Sequence, residues 1–146
     1  MTACPECGTR SCEELFHVVL ALDHARRPPW GPLHGVIVSC FLLQHPGRLR
    51  DGDRARPWAT LHAYLDGGPA AATRLAGALR RANSHRAGDG VIADVVAAVP
   101  VAPLGPTPGA FAVTIGDVAV DGTFPAAGFA DRVAAWAAAT VAAWRA

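Results

Sequence analysis

Three cysteines close to the N-terminus constrain this chain more than any other feature of its sequence. They occur in the run Cys4-Pro5-Glu6-Cys7-Gly8, which is followed by Cys12. A Cys-x-x-Cys-Gly turn brings two thiolates within reach of one ion, because the glycine allows the backbone to fold back beneath the sulfur atoms. Thiolate and imidazole groups complete tetrahedral zinc sites, and the chain has six histidines. We therefore expect this segment to belong to a metal site.

The composition is typical of a compact globular protein. The chain has 146 residues, of which 51% are hydrophobic and 17% are charged, and its net charge of +1 does not favour binding to nucleic acid or to an anionic membrane. No stretch approaches the ~20 apolar residues of a membrane span, and no signal peptide is visible. We expect residues 1–146 to form a single helical metal-binding domain in the cytoplasm. In that reducing compartment, neighbouring cysteines bind metal more readily than they form disulfides.

The hydrophobic periodicity predicts an all-α fold, a single-domain helical bundle with an N-terminal metal-stapled CxxC turn. Ser11 and Glu14 form a potential capping box at the start of a first helix that runs to about Ala25. A second helix begins at Gly31-Pro32 and ends before Pro46-Gly47. Because it is apolar nearly all round, we expect it at the centre of the fold.

Later segments give further helices and one ambiguous region. The Gly67-Gly68 pair separates a third helix from a fourth, and the β-branched run at 92–99 is compatible with a short helix or a buried strand. The predicted elements are helices at 57–66, 70–85 and 125–144, with a short extended piece at 111–115.

Helix geometry selects the histidine that joins the three cysteines. His34 and His45 share one face of the second helix, but eleven positions separate them, or ~16 Å along the helix axis. One ion therefore cannot bind both. A short connection implies that the first and second helices are antiparallel, which places Cys12 beside His45. The predicted metal ligands are thus Cys4, Cys7, Cys12 and His45, with Zn²⁺ as the preferred ion and iron or copper as alternatives.

His62 is an alternate whose role the sequence leaves open. The third helix returns past the second, so we expect His62 within a turn or two of the metal. It is either a fourth ligand in place of Cys12, a general base near the metal, or a core histidine with satisfied hydrogen bonds. Gln44 either orients the ring of His45 or is solvated.

His34 is the second alternate ligand, although a histidine that packs between helices is the commoner case. At the end of the helix opposite His45, its expected neighbours are Asp23 and His24. These three side chains suggest a second polar pocket. His17 and His85 are expected on the surface.

The combined motifs resemble a bacterial family of small uncharacterised proteins. Its members have an N-terminal CxxCG turn, a His-x10-His segment that ends in Gln-His-Pro, here Gln44-His45-Pro46, and a tryptophan-rich last helix. Similarity extends to Ala59-Thr60-Leu61-His62 and to the segment 113–118. The resemblance implies no activity, and it places Cys4, Cys7, Cys12, His34, His45 and His62 at signature positions.

This chain departs from the family pattern at three positions. Ser39 stands where an aspartate is usual, Phe41 where a tyrosine is usual, and Phe129 where a histidine is common. If the aspartate and the histidine carry chemistry in relatives, this chain has lost part of that chemistry or does something different.

Two functional hypotheses follow. The first is a small zinc-binding protein in which the metal has a structural role and the chain binds a small molecule or a protein partner. The alternative is a zinc-dependent metalloenzyme that acts on a small metabolite by hydrolysis or addition–elimination, with His62 as base or ligand. Neither nucleic acid nor a membrane is an expected partner, and the apolar face of the last helix suits a homodimer. A redox role for the CxxC pair is disfavoured, because no strand precedes it.

Overall fold

Helices make up the ordered framework of the protein. The computed structural model describes residues 2–84 and 89–146, and in these residues it contains helices and two isolated β-bridges but no strand. The predicted all-α fold class is therefore confirmed. The α-helices are α1 (Cys12–His24), α2 (His34–Gln44), α3 (Ala55–Ser84), α4 (Asp89–Ala97), α5 (Ile115–Val118) and α6 (Phe129–Trp144).

The first two helices lie close to their predicted positions, but α1 begins differently. Ser11 is the N-cap residue, yet its φ of 56° is left-handed and its side chain makes no capping hydrogen bond. A side-chain cap requires an extended backbone at this position, so the predicted capping box is wrong. Among the residues that the structure describes, a capping box is found at α5, where the amide of Thr114 donates to the carboxylate of Asp117 over 2.9 Å.

The predicted third and fourth helices are two arms of α3. Gly68, with φ 75° and ψ −171°, interrupts the helical backbone, and Pro69 follows it. Glycine adopts this conformation without a steric penalty, and proline suits the first turn of the second arm. The break was therefore predictable from sequence, whereas the predicted helix end at His85 lies outside the described residues.

In the C-terminal half, the structure resolves the ambiguous region and differs from two other predictions. The segment 92–99 is helical as part of α4, and no extended strand forms at 111–115. The last helix begins at Phe129 rather than near position 125, because Gly128 is left-handed. The guanidinium of Arg132 donates to the carbonyl oxygens of Val118, Pro125 and Ala127, which holds this turn outside the helix.

Helix α2 lies at the centre of the fold, as its apolar sequence predicted. Its most extensive packing is against α3, and it also contacts α1 and α6. Cys40, in the middle of α2, is fully buried and belongs to the core. Tryptophans Trp58, Trp136 and Trp144 belong to the same core. None of the described helices combines the length and apolar character that crossing a membrane requires.

Candidate metal centre

The CxxC segment folds into a tight turn that directs its cysteines to one side. The amide of Gly8 donates to the carbonyl of Cys4 over 2.8 Å, and the amide of Cys4 donates to the carbonyl of Thr9 over 3.1 Å. Gly8 has a φ of 78°, which glycine adopts without strain. The amide of Thr9 also points at the Cys7 sulfur over 3.4 Å. The backbone thus supplies a hydrogen-bond donor to a thiolate, as is common around cysteine metal sites.

The start of α1 and the end of α2 complete the cluster. Cys12 is the first residue of α1 and His45 follows the last residue of α2, and the distance from Cys12 Sγ to His45 Nε2 is 3.4 Å. One ligand atom from each of Cys4, Cys7, Cys12 and His45 lies within 4.8 Å of every other. The structure therefore brings together the four residues that the sequence analysis selected.

The geometry of this cluster fits a tetrahedral ion. With Zn–S near 2.3 Å and Zn–N near 2.1 Å, a tetrahedral centre separates sulfur from nitrogen by about 3.6 Å. The observed distance from Cys12 Sγ to His45 Nε2, 3.4 Å, agrees with this value. Three thiol groups and one imidazole also match the donor set that zinc prefers. By their donor atoms and by this distance, the four residues fit a tetrahedral metal ion such as zinc.

His45 is oriented by a neighbour on its own helix. Its Nδ1 lies 2.7 Å from the carbonyl oxygen of Phe41, one helical turn earlier. A carbonyl accepts only, so Nδ1 carries the proton and Nε2 presents its lone pair to the cysteines. Metal-bound histidines commonly donate their second ring nitrogen in this way, which fixes the tautomer and the ring orientation. This role of Phe41 was not predicted from the sequence, although the i, i+4 spacing from His45 is visible there.

Aromatic stacking restricts the same ring further. The Phe41 ring stacks on His45 with centroids 4.0 Å apart, and Phe16 stacks on the other side of Phe41 at 3.8 Å. His45 is only 3% exposed. This burial lowers the pKa of His45, partly offset by its hydrogen bond to the Phe41 carbonyl. The lowered pKa favours the neutral ring, which is the form that binds a metal.

The thiols of the cluster are in different electrostatic environments. Burial, followed by the nearby Cys7, raises the pKa of Cys12 to about 12, and burial also raises the pKa of Cys7. For Cys4, burial acts in the same direction, but hydrogen bonds from the amides of Cys7 and Glu6 outweigh it and lower the pKa. Three thiolates this close repel one another strongly. A cation at the centre of the cluster would remove that repulsion.

Polar contacts outside the cluster join the turn to the end of α2. The amide of Gly47 donates to the Glu6 carboxylate over 2.8 Å, and Arg48 forms an ion pair with Glu13 at 2.9 Å. Thr9 reaches α5 through its hydroxyl, which lies 2.6 Å from that of Thr114. These contacts connect the N-terminal segment to α1, α2 and α5 around the candidate site.

Gln44 has a different role from either of those considered for it. It is 1% exposed, and its amide nitrogen donates to the Val113 carbonyl over 2.8 Å and to the Thr140 hydroxyl over 2.9 Å. Gln44 therefore links α2 to α6 and to the segment before α5. It is not solvated, and its amide nitrogen is bonded to core partners rather than to His45.

His62 is not part of the cluster. Its Nδ1 lies 2.9 Å from the carbonyl of Trp58, and its Nε2 accepts a hydrogen bond from the amide of Ala102 over 3.1 Å. The anchoring through Nδ1 repeats that of His45, but the outer nitrogen of His62 is occupied by backbone. This arrangement corresponds to the third role considered above, a core histidine with satisfied hydrogen bonds. A ligand or base at this position would first have to release the Ala102 amide.

His34 lies at the other end of α2, as helix geometry predicted. Its Nδ1 is 2.9 Å from Oδ1 of Asp23, and its ring centroid is 6.0 Å from that of His24. It is not a member of the cysteine cluster. Among the expected surface histidines, His17 is exposed. His85 lies outside the described residues.

Comparison with protein families places the chain in a defined group. The model of DUF5946, described as a family of unknown function, matches residues 2–145. The chain belongs to this family. The resemblance to an uncharacterised family is therefore confirmed at the level of the family. Neither the curated proteins nor the solved structures include a match to the chain.

Proposed function

We propose that this member of DUF5946 is a zinc-binding helical protein. In this proposal, Cys4, Cys7, Cys12 and His45 bind one Zn²⁺ ion in a closed four-ligand site with a structural role. The observation that carries it is the meeting of four suitable donor atoms within 4.8 Å, one of them an imidazole Nε2 whose Nδ1 is anchored to a carbonyl. Three thiolate ligands and one histidine are typical of structural zinc sites, which leave no coordination position for substrate.

The ion would attach the N-terminal segment to the helices. Of residues 2–11, which precede α1, Cys7 alone is buried, and the rest are exposed or half-buried. This segment therefore gains little stability from apolar burial, and metal binding can supply the missing free energy. The ligands come from the turn, from the start of α1 and from the end of α2, so a single ion would join all three.

The proposed site requires reduced thiols. The cysteines of the described chain form no disulfide. We accordingly propose that the protein acts in a reducing compartment such as the cytoplasm, where its cysteines remain available to a metal. Its working role in this proposal is to bind a small molecule or a protein partner elsewhere on the bundle.

Elemental analysis of natively purified protein tests the metal site directly. We expect one zinc per chain in the parent protein, loss of zinc in Cys12→Ser, and full zinc content in the control variant Cys40→Ala, since Cys40 is a buried cysteine outside the cluster. Tetrahedral thiolate spectra of the cobalt-substituted protein provide a second readout. Full zinc content in a Cys4→Ser/Cys7→Ser double variant would falsify the assignment.

The same experiment separates the structural role from the metalloenzyme alternative. His62→Ala should keep its zinc, because both ring nitrogens of His62 are bonded to backbone groups outside the cluster. If zinc survived Cys12→Ser and was lost in His62→Ala, the ion would have a different ligand set and an open position. That result would replace the structural role with the metalloenzyme alternative.

A further inference from the structure

A pocket of charged side chains lies at the end of α2 opposite the cysteine cluster. Its volume is about 600 Å³, and its lining includes Asp23, His24, Arg26, His34 and Arg80. Helix α1 ends here, and a Cβ on Gly31 would lie 2.7 Å from backbone carbons of Arg26. The turn between α1 and α2 is therefore packed too tightly for any other residue at position 31, and it holds Arg26 beside the pocket.

The buried acid of this pocket has unsatisfied hydrogen-bonding capacity. The Asp23 side chain is 0% exposed, and neither carboxylate oxygen accepts a hydrogen bond of good geometry from the described residues. Its partner is His34, whose Nδ1 is 2.9 Å from Oδ1 and whose side chain is 50% exposed. A buried carboxylate is stabilised by a positive partner and fixes a histidine in one orientation. Nε2 of His34 is then left for a ligand.

The exposed charges of the pocket are positive. Arg26 and Arg80 are exposed, and neither forms an ion pair with another residue of the described chain. The carboxylate of Asp23 is buried from solvent and lies against His34. A ligand that enters the pocket therefore meets guanidinium and imidazole groups. Arginine binds phosphate and carboxylate groups through paired hydrogen bonds. The charge of the pocket therefore suits an anionic group.

The pocket of charged side chains, called the polar pocket below, continues into two further cavities along the groove between α2 and α3. A middle cavity of about 370 Å³ shares His34 and Arg80 with the polar pocket. It also shares Val38 and Leu42 with a third, apolar cavity of about 1010 Å³. His34, Val38 and Leu42 are spaced four residues apart, so they form one stripe along α2 that spans ~12 Å.

The far end of the groove is mostly apolar, although Asp53 and Arg56 also line it. Trp58 of α3 and Val96 of α4 line the third cavity, together with Val101 and Leu104, which are 46% and 37% exposed. Partly exposed aliphatic side chains around a cavity gain stability when an apolar group covers them. The groove thus changes from charged to apolar along its length, which matches a molecule with an anionic head and a hydrocarbon tail.

We propose that the α2–α3 groove binds an amphipathic small molecule, with a phosphate or carboxylate head between His34 and Arg80 and an apolar tail along Val38 and Leu42 towards Trp58. This proposal names a ligand class and a site for the binding role proposed above. It does not involve the cysteine cluster, so it stands or fails independently of the zinc assignment.

Calorimetric titration of the zinc-loaded chain with decyl phosphate and with decanoate tests the proposal. Two reference ligands isolate the parts of the molecule, decanol for the tail and inorganic phosphate for the head. We expect at least one of the two amphipathic anions to bind 10-fold or more tightly than both reference ligands. The anion that binds more tightly identifies the head group. Equal affinity for decanol, equal affinity for inorganic phosphate, or no binding of either amphipathic anion would overturn the proposal.

Matched variants locate the ligand within the groove. Arg80→Ala and His34→Gln should weaken binding about 10-fold, whereas Arg74→Ala should not, since Arg74 is an exposed arginine of α3 outside the groove. At the apolar end, Ala93→Trp should narrow the cavity and weaken binding, and Ala98→Trp, at an exposed alanine outside it, should not. Zinc content, measured for every variant, separates a failure here from a failure of the metal site. Binding that is insensitive to both the head and the tail variants would exclude the groove.

Discussion

The two ends of α2 carry histidines with similar local anchoring and very different surroundings. His45 and His34 each place Nδ1 against an oxygen, at 2.7 Å and 2.9 Å, but one oxygen is the carbonyl of Phe41 and the other is the buried carboxylate of Asp23. His45 is 3% exposed and faces thiols, whereas the His34 side chain is 50% exposed and faces arginines. The two histidines therefore share the anchoring of Nδ1 and differ in their burial and in the groups around the rest of the ring.

The two ends of α2 also differ in the sign of the charge that would stabilise them. At the His45 end, three thiols and a neutral imidazole surround a centre that a cation would stabilise. At the His34 end, two exposed arginines line the pocket beside His34 and the buried Asp23 carboxylate, and an anion would stabilise their positive charge. One helix therefore separates two sites of opposite electrostatic preference by ~16 Å, given its rise per residue.

Loss of the proposed zinc ion should have the largest effect, a decrease in the stability of the fold. Free zinc at a thousand times its dissociation constant stabilises a protein by about 4 kcal/mol. We therefore expect Cys7→Ser, or chelation of the parent protein, to lower the melting temperature by about 10 °C for a chain of this size. Calorimetry with and without zinc measures the shift. The melting temperature of the Cys40→Ala control should still rise with zinc. An equal melting temperature of the parent protein with and without zinc would contradict the proposal that the ion attaches the N-terminal segment to the helices.

Replacement by glutamine should lower the zinc affinity at His45 and leave it unchanged at His34. His45→Gln removes a proposed ligand and should weaken zinc binding by more than the roughly 100-fold that loss of an outer-shell partner costs. His34→Gln lies at the other end of the helix and should leave zinc affinity unchanged. Competition with a chromophoric chelator measures both values. Equal losses of zinc affinity in the two variants would mean that both histidines affect zinc binding through the stability of α2 rather than through separate sites.

The placement of both histidines was predictable because it depends on local geometry. A helix fixes the separation of His34 and His45, and a short turn to α1 brings Cys12 to one end and Asp23 to the other. The structure shows both contacts, at 3.4 Å between Cys12 and His45 and at 2.9 Å between Asp23 and His34. The metal cluster and the helical class follow from the same short-range rules.

The contacts that the sequence did not predict join residues far apart in the chain. Gln44 bonds to Val113 and Thr140, and His62 bonds to Ala102, which is 40 positions later. Such partners depend on how α3 to α6 pack around α2, and hydrophobic periodicity does not fix that packing. The place of the exposed Arg80 beside His34 in the pocket depends in the same way on how the second arm of α3 packs against α2.

Zinc binding at the His45 end should release protons, whereas binding at the His34 end involves no thiol. Both Cys7 and Cys12 have raised pKa values in the metal-free protein, that of Cys12 about 12, so both are protonated at pH 7. Coordination requires thiolates, and therefore each zinc should displace at least two protons. Zinc affinity should accordingly fall as the pH is lowered. His45 contributes little near pH 7, since its pKa is lowered.

Calorimetry in buffers with different enthalpies of ionisation counts these protons. Cys12→Ser should release fewer protons per zinc, if it still binds, because one protonated thiol has been removed. Release of less than one proton by the parent protein would mean that Cys7 and Cys12 are not the groups that bind the ion.

The smallest expected effect comes from the turn that presents Cys4 and Cys7. Gly8 has a φ of +78°, and a Cβ at this position would contact nothing within 4 Å, so Gly8→Ala adds backbone strain without a clash. A left-handed conformation costs an ordinary residue about 1–2 kcal/mol. That cost applies while zinc holds the turn in place, and it is smaller once the turn can relax. Gly8→Ala should therefore lower the apparent affinity for zinc by about 10-fold or less. The control Gly109→Ala should leave this affinity unchanged, because Gly109 has no positive φ and open space around it. An equal loss of stability with and without zinc would show that the turn is held by its backbone hydrogen bonds alone, and the metal would then have no part in fixing the N-terminal segment.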